Sequence, residues 1–310
     1  MDSFNPMKFN YPVLGIDVGG QNIKAGWVKE RTVKDFRRVP FKAKNIKEEL
    51  LKLIASFDIT KDVIIGVGFP GFVQNGIIYT PPNLPTINEL NLEELLKKET
   101  GSHVYVFNDA NAVILGEALY GAAKNYRIVV GFTLGTGIGG GFIIDKEVYT
   151  GSRGFACEIG HTIIDHSGPI CECGKRGCLE SFIGAYALTN RYKTLTDDDV
   201  TVKDIFKRAI RGEVYSKRVV DEFGFYLGIG INNVVEIFDP DIIVLAGGVS
   251  KSGDQIIEAI EDNNPYDSRC MEGVRIVIAK LGDKAGPVGA ANWALKKHKL
   301  RNGREFLGTY

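Results

Sequence analysis

The sequence predicts an α/β protein built on a duplicated plan, with a ligand held between two halves. Three observations carry this. A β-branched strand runs into a glycine-rich turn at Asp17-Val-Gly-Gly20, at Thr133-Leu-Gly-Thr-Gly137 and at Ala246-Gly-Gly248. Strand-like runs alternate with segments of helical spacing. The length, 310 residues, suits two domains, or one domain with a large insertion.

The elements follow in order. Val13 to Asp17 reads as a buried strand, and Trp27-Val28 and Val33 to Val39 as the next strands of a meander. Asn45 to Phe57 has helical spacing, with Ile46, Leu50, Leu51 and Ile54 on one face. Val63 to Gly68 is a β-branched run that ends in the turn Phe69-Pro-Gly71. Leu90 to Thr100 reads as an amphipathic helix stopped by Gly101. Val104 to Phe107 is a strand, and Asn108-Asp-Ala-Asn111 opens a helix. A second unit starts with a strand over Ile128 to Thr133, a turn over Leu134 to Gly141 and a strand over Phe142 to Ile144. An irregular Cys/His segment follows. Helices are expected over Leu179 to Tyr192, Val202 to Ile210 and Ser216 to Phe238. Asp241 to Leu245 and Val274 to Ala279 are the last strands, and Gly286 to Lys297 the last helix.

Bulk properties exclude several classes. The chain is 44% hydrophobic and 25% charged, with a formal net charge of zero. That is a globular composition with no electrostatic reason to bind nucleic acid. No apolar run approaches membrane-spanning length, and Met1 to Tyr11 lacks a signal-peptide core. A cytoplasmic protein is expected. Five cysteines, three of them clustered, fit a metal site in a reducing compartment better than a disulfide framework.

The strongest local signal is that cluster. Cys171, Cys173 and Cys178 fall within eight residues, and His161 lies ten residues upstream of the first. Three thiolates and one imidazole suit a closed, tetrahedral, structural zinc site. Buried free cysteines are common singly but not three at this spacing. Cys157 and Cys270 read as core residues, and His103, His166 and His298 as surface or loop residues. Glu158 and Glu180 bracket the cluster. They are either plain surface charges or rigid acceptors for sugar hydroxyls. His161 could ligate metal through one nitrogen and donate to a ligand through the other.

The glycine-rich turns let backbone N–H groups converge on phosphate oxygens. Neither a Walker lysine pattern nor a clean Gly-x-Gly-x-x-Gly opening a helix occurs. Asp17 is either a turn carboxylate or a magnesium ligand near nucleotide phosphates. Lys24 is either an exposed strand lysine or a phosphate contact. Asp109 is either a helix N-cap or a general base for a hydroxyl proton. Its place at a strand's carboxyl end favours the second.

These motifs together resemble the ROK family of sugar kinases and repressors. The resemblance rests on Leu14-Gly-Ile-Asp-Val-Gly-Gly20, Gly66-Val-Gly-Phe-Pro-Gly71, Asn108-Asp-Ala-Asn111 and Leu134-Gly-Thr-Gly-Ile-Gly-Gly-Gly141. It continues through Glu158-Ile-Gly-His161, the run Cys171 to Glu180 and the run Asp239 to Ser250. The resemblance implies the actin-like, ribonuclease H-like ATPase fold: two α/β domains around a cleft, here residues 1–119 with 291–310, and residues 120–290. It implies an ATP-dependent kinase for the 6-hydroxyl of glucose, using Mg²⁺ with ATP and a structural Zn²⁺. Asp109 would be the catalytic base. Asn83, Asn108, Glu158, His161 and Glu180 would contact the sugar, with the turn 68–71 nearby. His161, Cys171, Cys173 and Cys178 would hold zinc. Asp17, Gly19, Gly20, Gln21 and Lys24 would form the first phosphate loop, Thr136 and Gly137 the second, and Gly247, Gly248 and Val249 the adenosine loop.

The implied alternatives are a kinase for fructose, mannose, N-acetylmannosamine or another hexose, and a non-catalytic sugar sensor. A homo-oligomer, dimer or tetramer, is implied. The sequence departs from the family in two places. Gln21-Asn22 stands where members often carry Thr-Lys, and Ser181 to Ala187 is atypical of many glucokinases. The first strand begins by Val13, which reads as the kinase branch without the repressors' helix-turn-helix.

Overall fold

The computed structural model describes residues 12–41, 46–79, 89–265 and 271–305. Asn83 and Cys270 lie outside them. By its internal contacts the chain groups into two units. One is 1–121 with 145–156 and 283–310, and the other is 122–144 with 157–282.

In the first unit the chain runs β1 (Val13–Val18), β2 (Asn22–Lys29), β3 (Thr32–Pro40), α1 (Ile46–Ala55), β4 (Ile64–Phe69), β5 (Phe72–Gln74), β6 (Ile77–Tyr79), β7 (Glu89–Asn91), α2 (Leu92–Thr100), β8 (His103–Asn108) and α3 (Asp109–Tyr120). The main sheet has the order β3-β2-β1-β4-β8. β1 is antiparallel to β2 and parallel to β4. Every residue of β1 and β4 is buried, as expected for strands covered on both faces. β5, β6 and β7 form a small antiparallel sheet.

The second unit holds β9 (Ile128–Leu134) and β10 (Ile138–Ile144). The chain then lends β11 (Glu147–Val148) to the first unit. α4 (Glu180–Ile183), α5 (Ala185–Thr196), α6 (Val202–Ile210), α7 (Val214–Phe238), β12 (Ile242–Ala246), α8 (Asp254–Asn263) and β13 (Arg275–Ile278) complete it. The second sheet has the order β11-β10-β9-β12-β13, with β9 antiparallel to β10 and β12 parallel to β9. An antiparallel hairpin followed by a parallel strand thus occurs in each unit, which is the duplication the glycine-rich turns predicted. Val219, Phe223, Leu227, Ile231 and Val234 make the buried stripe of α7. Their i, i+3 and i+4 spacing puts them on one face.

The last helix, α9 (Ala285–Glu305), returns to the first unit. It begins one residue before the expected Gly286, and its first turns sit on the sheet. A Cβ at Gly15 would collide with the Pro287 carbonyl, and one at Gly66 with that of Ala290. Residues 145–156 also join this unit, since Phe155 lies 5.0 Å from Phe72 and 6.2 Å from Tyr79, ring to ring. α9 and α3 meet backbone to backbone, and a Cβ at Gly289 would collide with the Ala112 carbonyl. Gly289→Ala is therefore expected to cost about 1–3 kcal/mol by overpacking. A thermal melt that leaves the midpoint unchanged would refute this contact.

Three expected elements are corrected, and α8 and the small sheet β5–β7 were not anticipated. Gly139 to Gly141 belong to β10 rather than to a turn, because β9 supplies the ladder partners Thr133, Phe132 and Gly131. The helix expected over 179–192 is broken at Gly184, whose ψ is 153°. α2 starts at Leu92, because the Asn91 side chain accepts from the Glu94 N–H at 3.0 Å and so sets the cap.

Candidate active site

Each unit carries part of the predicted set. In the first, Asp17 ends β1 and is 3% exposed. Its partner is Lys24 on β2, at 3.0 Å. Burial holds the Asp17 carboxyl above the usual carboxylate range, against the pull of Lys24. The pairing also raises Lys24, whose attraction to Asp17 outweighs its own burial cost. A Cβ at Gly286 would collide with the Asp17 carboxylate, so this glycine lets α9 close over the acid. No sequence motif marks Gly286 or the Asp17–Lys24 pair. Gly19 tightens the β1–β2 hairpin by donating to the Asn22 carbonyl at 3.0 Å. Gly20 and Gln21 are exposed at its tip.

Asn108 and Asp109 stand at the carboxyl end of β8, where α3 begins. The cap is Asn108, not Asp109: its side chain accepts from the Asn111 N–H at 2.9 Å. Its amide donates to the Gly71 carbonyl at 3.2 Å, tying the turn 69–71 to the helix start. Asp109 is the first helical residue, half-buried, and one oxygen accepts from the Ala110 N–H at 2.8 Å. Asp109 thus satisfies one first-turn N–H, while the cap position itself belongs to Asn108.

In the second unit, Glu158, His161, Cys171, Cys173, Cys178 and Glu180 come together. The four donor atoms of His161 and the three cysteines lie within 4.8 Å of one another. Cys171 Sγ is 3.6 Å from His161 Nδ1, and Cys173 Sγ is 3.6 Å from Cys178 Sγ. A tetrahedral zinc with Zn–S of about 2.3 Å spaces its ligands roughly 3.8 Å apart. These residues fit such an ion. Burial raises the thiols of Cys171 and Cys178. At Cys173 burial acts in the same direction but is outweighed, chiefly by the Lys175 backbone N–H, and the thiol is lowered. His161 turns Nδ1 toward the thiols, which leaves Nε2 on the opposite side of the ring.

Glu158 is half-buried, and its carboxyl is pushed up to about 7, first by burial and then by the charge of Glu180. The two carboxylates are close enough to feel each other's charge. Glu180 has a second partner that sequence reasoning missed: Oε2 accepts from the Ile138 N–H at 2.8 Å. Thr136 is exposed, and Gly137 packs on the same carboxylate. Gly247 has φ 95°, and a Cβ there would collide with the Leu134 carbonyl. The glycine thus brings the turn after β12 against the turn after β9. Gly248 is exposed, and Val249 buried beside it.

Cys157 is half-buried against the core, and burial with the charge of Glu158 pushes its thiol up to about 12. His298 is not a plain surface residue, since its Nδ1 lies 3.0 Å from the Tyr105 hydroxyl. No helix among the described residues is long and apolar enough to cross a membrane.

The chain is 32% identical over 305 residues to a glucokinase from Thermotoga maritima, covering 90% of this chain and 96% of that one. It is 34% identical over 232 residues to a xylose repressor from Bacillus spizizenii, covering 74% of this chain and 60% of that one. The crystal structure of a ROK family glucokinase from Streptomyces griseus in complex with glucose and AMPPNP matches with a TM-score of 0.83 and 29% identity. That match covers 92% of this chain and 99% of the other. The fold is the actin-like, ribonuclease H-like ATPase fold. A profile of the ROK family matches residues 13–297, and the chain belongs to the ROK family.

Proposed function

We propose that this chain is an ATP-dependent sugar kinase that phosphorylates the 6-hydroxyl of glucose. The observation that carries the reading is Asp109: a carboxylate at the carboxyl end of β8, with the capping of α3 assigned to Asn108. Asp109 accepts the 6-hydroxyl proton as that oxygen attacks the γ-phosphorus in line. Asn108, Glu158, His161 and Glu180 take the remaining sugar hydroxyls, with Asn83 as a further contact.

Asp17, Gly19, Gly20, Gln21 and Lys24 face the phosphates with Thr136 and Gly137, and Gly247, Gly248 and Val249 hold the adenosine. Mg²⁺ arrives with ATP as part of the substrate, and Asp17 is the carboxylate suited to it. Zn²⁺ on His161, Cys171, Cys173 and Cys178 is structural, since four protein ligands leave no open position. The protein works in the cytoplasm as a homo-oligomer.

Two other readings have support. The xylose repressor relative favours a sugar sensor without turnover. Kinases for mannose, fructose or N-acetylmannosamine would use the same carboxylates. A coupled ADP assay over a hexose panel separates them. Glucose is expected to give the highest kcat/KM. Glucose binding with no ADP release would overturn the kinase reading.

A further inference from the structure

We propose that Glu180 is a positioning residue that ties the metal-ligand cluster to the glycine-rich turn 134–137, so that a loaded cluster sets the affinity for nucleotide phosphates. This rests on the kinase reading and adds to the sugar contact assigned to the same side chain. Of its two carboxylate oxygens, Oε2 holds the hydrogen bond that survives metal loading, because a metal-bound thiolate and a metal-bound Nδ1 carry no proton to give. Oε2 accepts from the Ile138 N–H at 2.8 Å. Oε1 stands 3.6 Å from Cys171 Sγ and 3.9 Å from His161 Nδ1. One side chain therefore lies against the ligand set and bonds the first residue of β10, 42 residues away in sequence, where the turn ends.

The turn is shaped for this approach. A Cβ at Gly137 would collide with Glu180 Oε2. The backbone after Glu180 holds the same turn: the Ala185 N–H donates to the Gly135 carbonyl at 3.0 Å. A Cβ at Gly184 would stand 3.1 Å from the Thr136 carbonyl, so this glycine too admits the close approach. On the metal side the tether is short. Glu180 follows the ligand Cys178 by two residues, and the Leu179 N–H donates to the Thr162 carbonyl at 3.0 Å. α4 is thus fixed by the ligand set at its start and grips the turn from there. A hydrogen bond to an ionised acceptor is roughly twice as strong as a neutral one. Its loss frees the turn and blunts the convergence of backbone N–H groups on phosphate oxygens.

The test is calorimetric titration of the zinc-loaded protein with MgAMPPNP in the absence of sugar. Glu180→Ala is expected to weaken binding by about 10-fold or more, the scale of groups that orient a metal site. Glu180→Gln keeps an acceptor for the Ile138 N–H and should stay within about 3-fold, while both variants lose glucose affinity. Gly137→Ala should weaken nucleotide binding, and the Gly137→Ala/Glu180→Ala double variant should be no worse than either single, the non-additivity of a shared contact. Chelation of the wild type should reproduce the Glu180→Ala loss, which serves if that variant does not fold. Wild-type nucleotide affinity in folded Glu180→Ala or in the chelated wild type, an equal loss in Glu180→Gln, or additive effects in the double variant would each overturn the tether and leave the kinase reading standing. A wild type that binds glucose but no nucleotide overturns both.

Discussion

Asp109→Asn is expected to lower kcat at least ~100-fold, the lower end of what a positioned general base contributes. The substitution is close to isosteric, and the side-chain oxygen of Asn can still accept from the Ala110 N–H, now held at 2.8 Å. The cap of α3 is Asn108 and is untouched. Loss of the negative charge at the helix N-terminus costs about 0.3–1 kcal/mol. A 100-fold loss in rate corresponds to roughly 2.7 kcal/mol of transition-state stabilisation, so the catalytic effect exceeds the structural one. The measurement is kcat by ADP release, beside glucose affinity and the thermal midpoint. An unchanged midpoint with near wild-type turnover would remove Asp109 from the mechanism. Much of the remaining rate comes from holding donor and acceptor in line, so the variant should retain activity well above the uncatalysed reaction.

Removal of zinc is the second large effect. Metal analysis should find one ion per cluster, and chelation should abolish saturable glucose binding and lower the thermal midpoint. The segment that carries the ligands has little regular structure to hold it. Its ladder contacts are the isolated bridges Ile163–Cys178 and Ile170–Arg176. A neutral backbone hydrogen bond contributes about 1 kcal/mol net, whereas zinc binding to such ligand sets contributes about 10–16 kcal/mol in small domains. Nine backbone hydrogen bonds inside residues 158–180 add up to the same order, so the metal supplies a large share of that segment's order, and with it of the placement of Glu158 and Glu180. Cys178→Ser should act the same way, since that thiol is 0% exposed, with Cys173 Sγ at 3.6 Å. Full glucose affinity after verified zinc loss would show that the carboxylates are held by the protein alone.

The sequence alone determined what is local. His161 and the three cysteines lie within eighteen residues, so their spacing could be read as a ligand set, and the fold brings all four donors together. The strands at β1, β4, β9 and β12 were legible because buried strands need continuous apolar runs. Gly101 was legible as a helix stop, and it adopts φ 68° at the end of α2.

Tertiary structure decided the rest. Asn108 and Asp109 are both good capping residues, and only the backbone at 108, with ψ 139°, shows which of them caps. The glycines at 139–141 look like a turn until β9 is placed beside them. Gly286 is unremarkable in sequence, because its reason is the Asp17 carboxylate at the far end of the chain. The bond from Glu180 to Ile138 joins residues that no local pattern relates. Spacing along a chain reports which side chains share a turn or a face, while contacts between distant segments depend on how sheets and helices pack, and that packing sets Gly286 against Asp17 and the Ile138 N–H on Glu180.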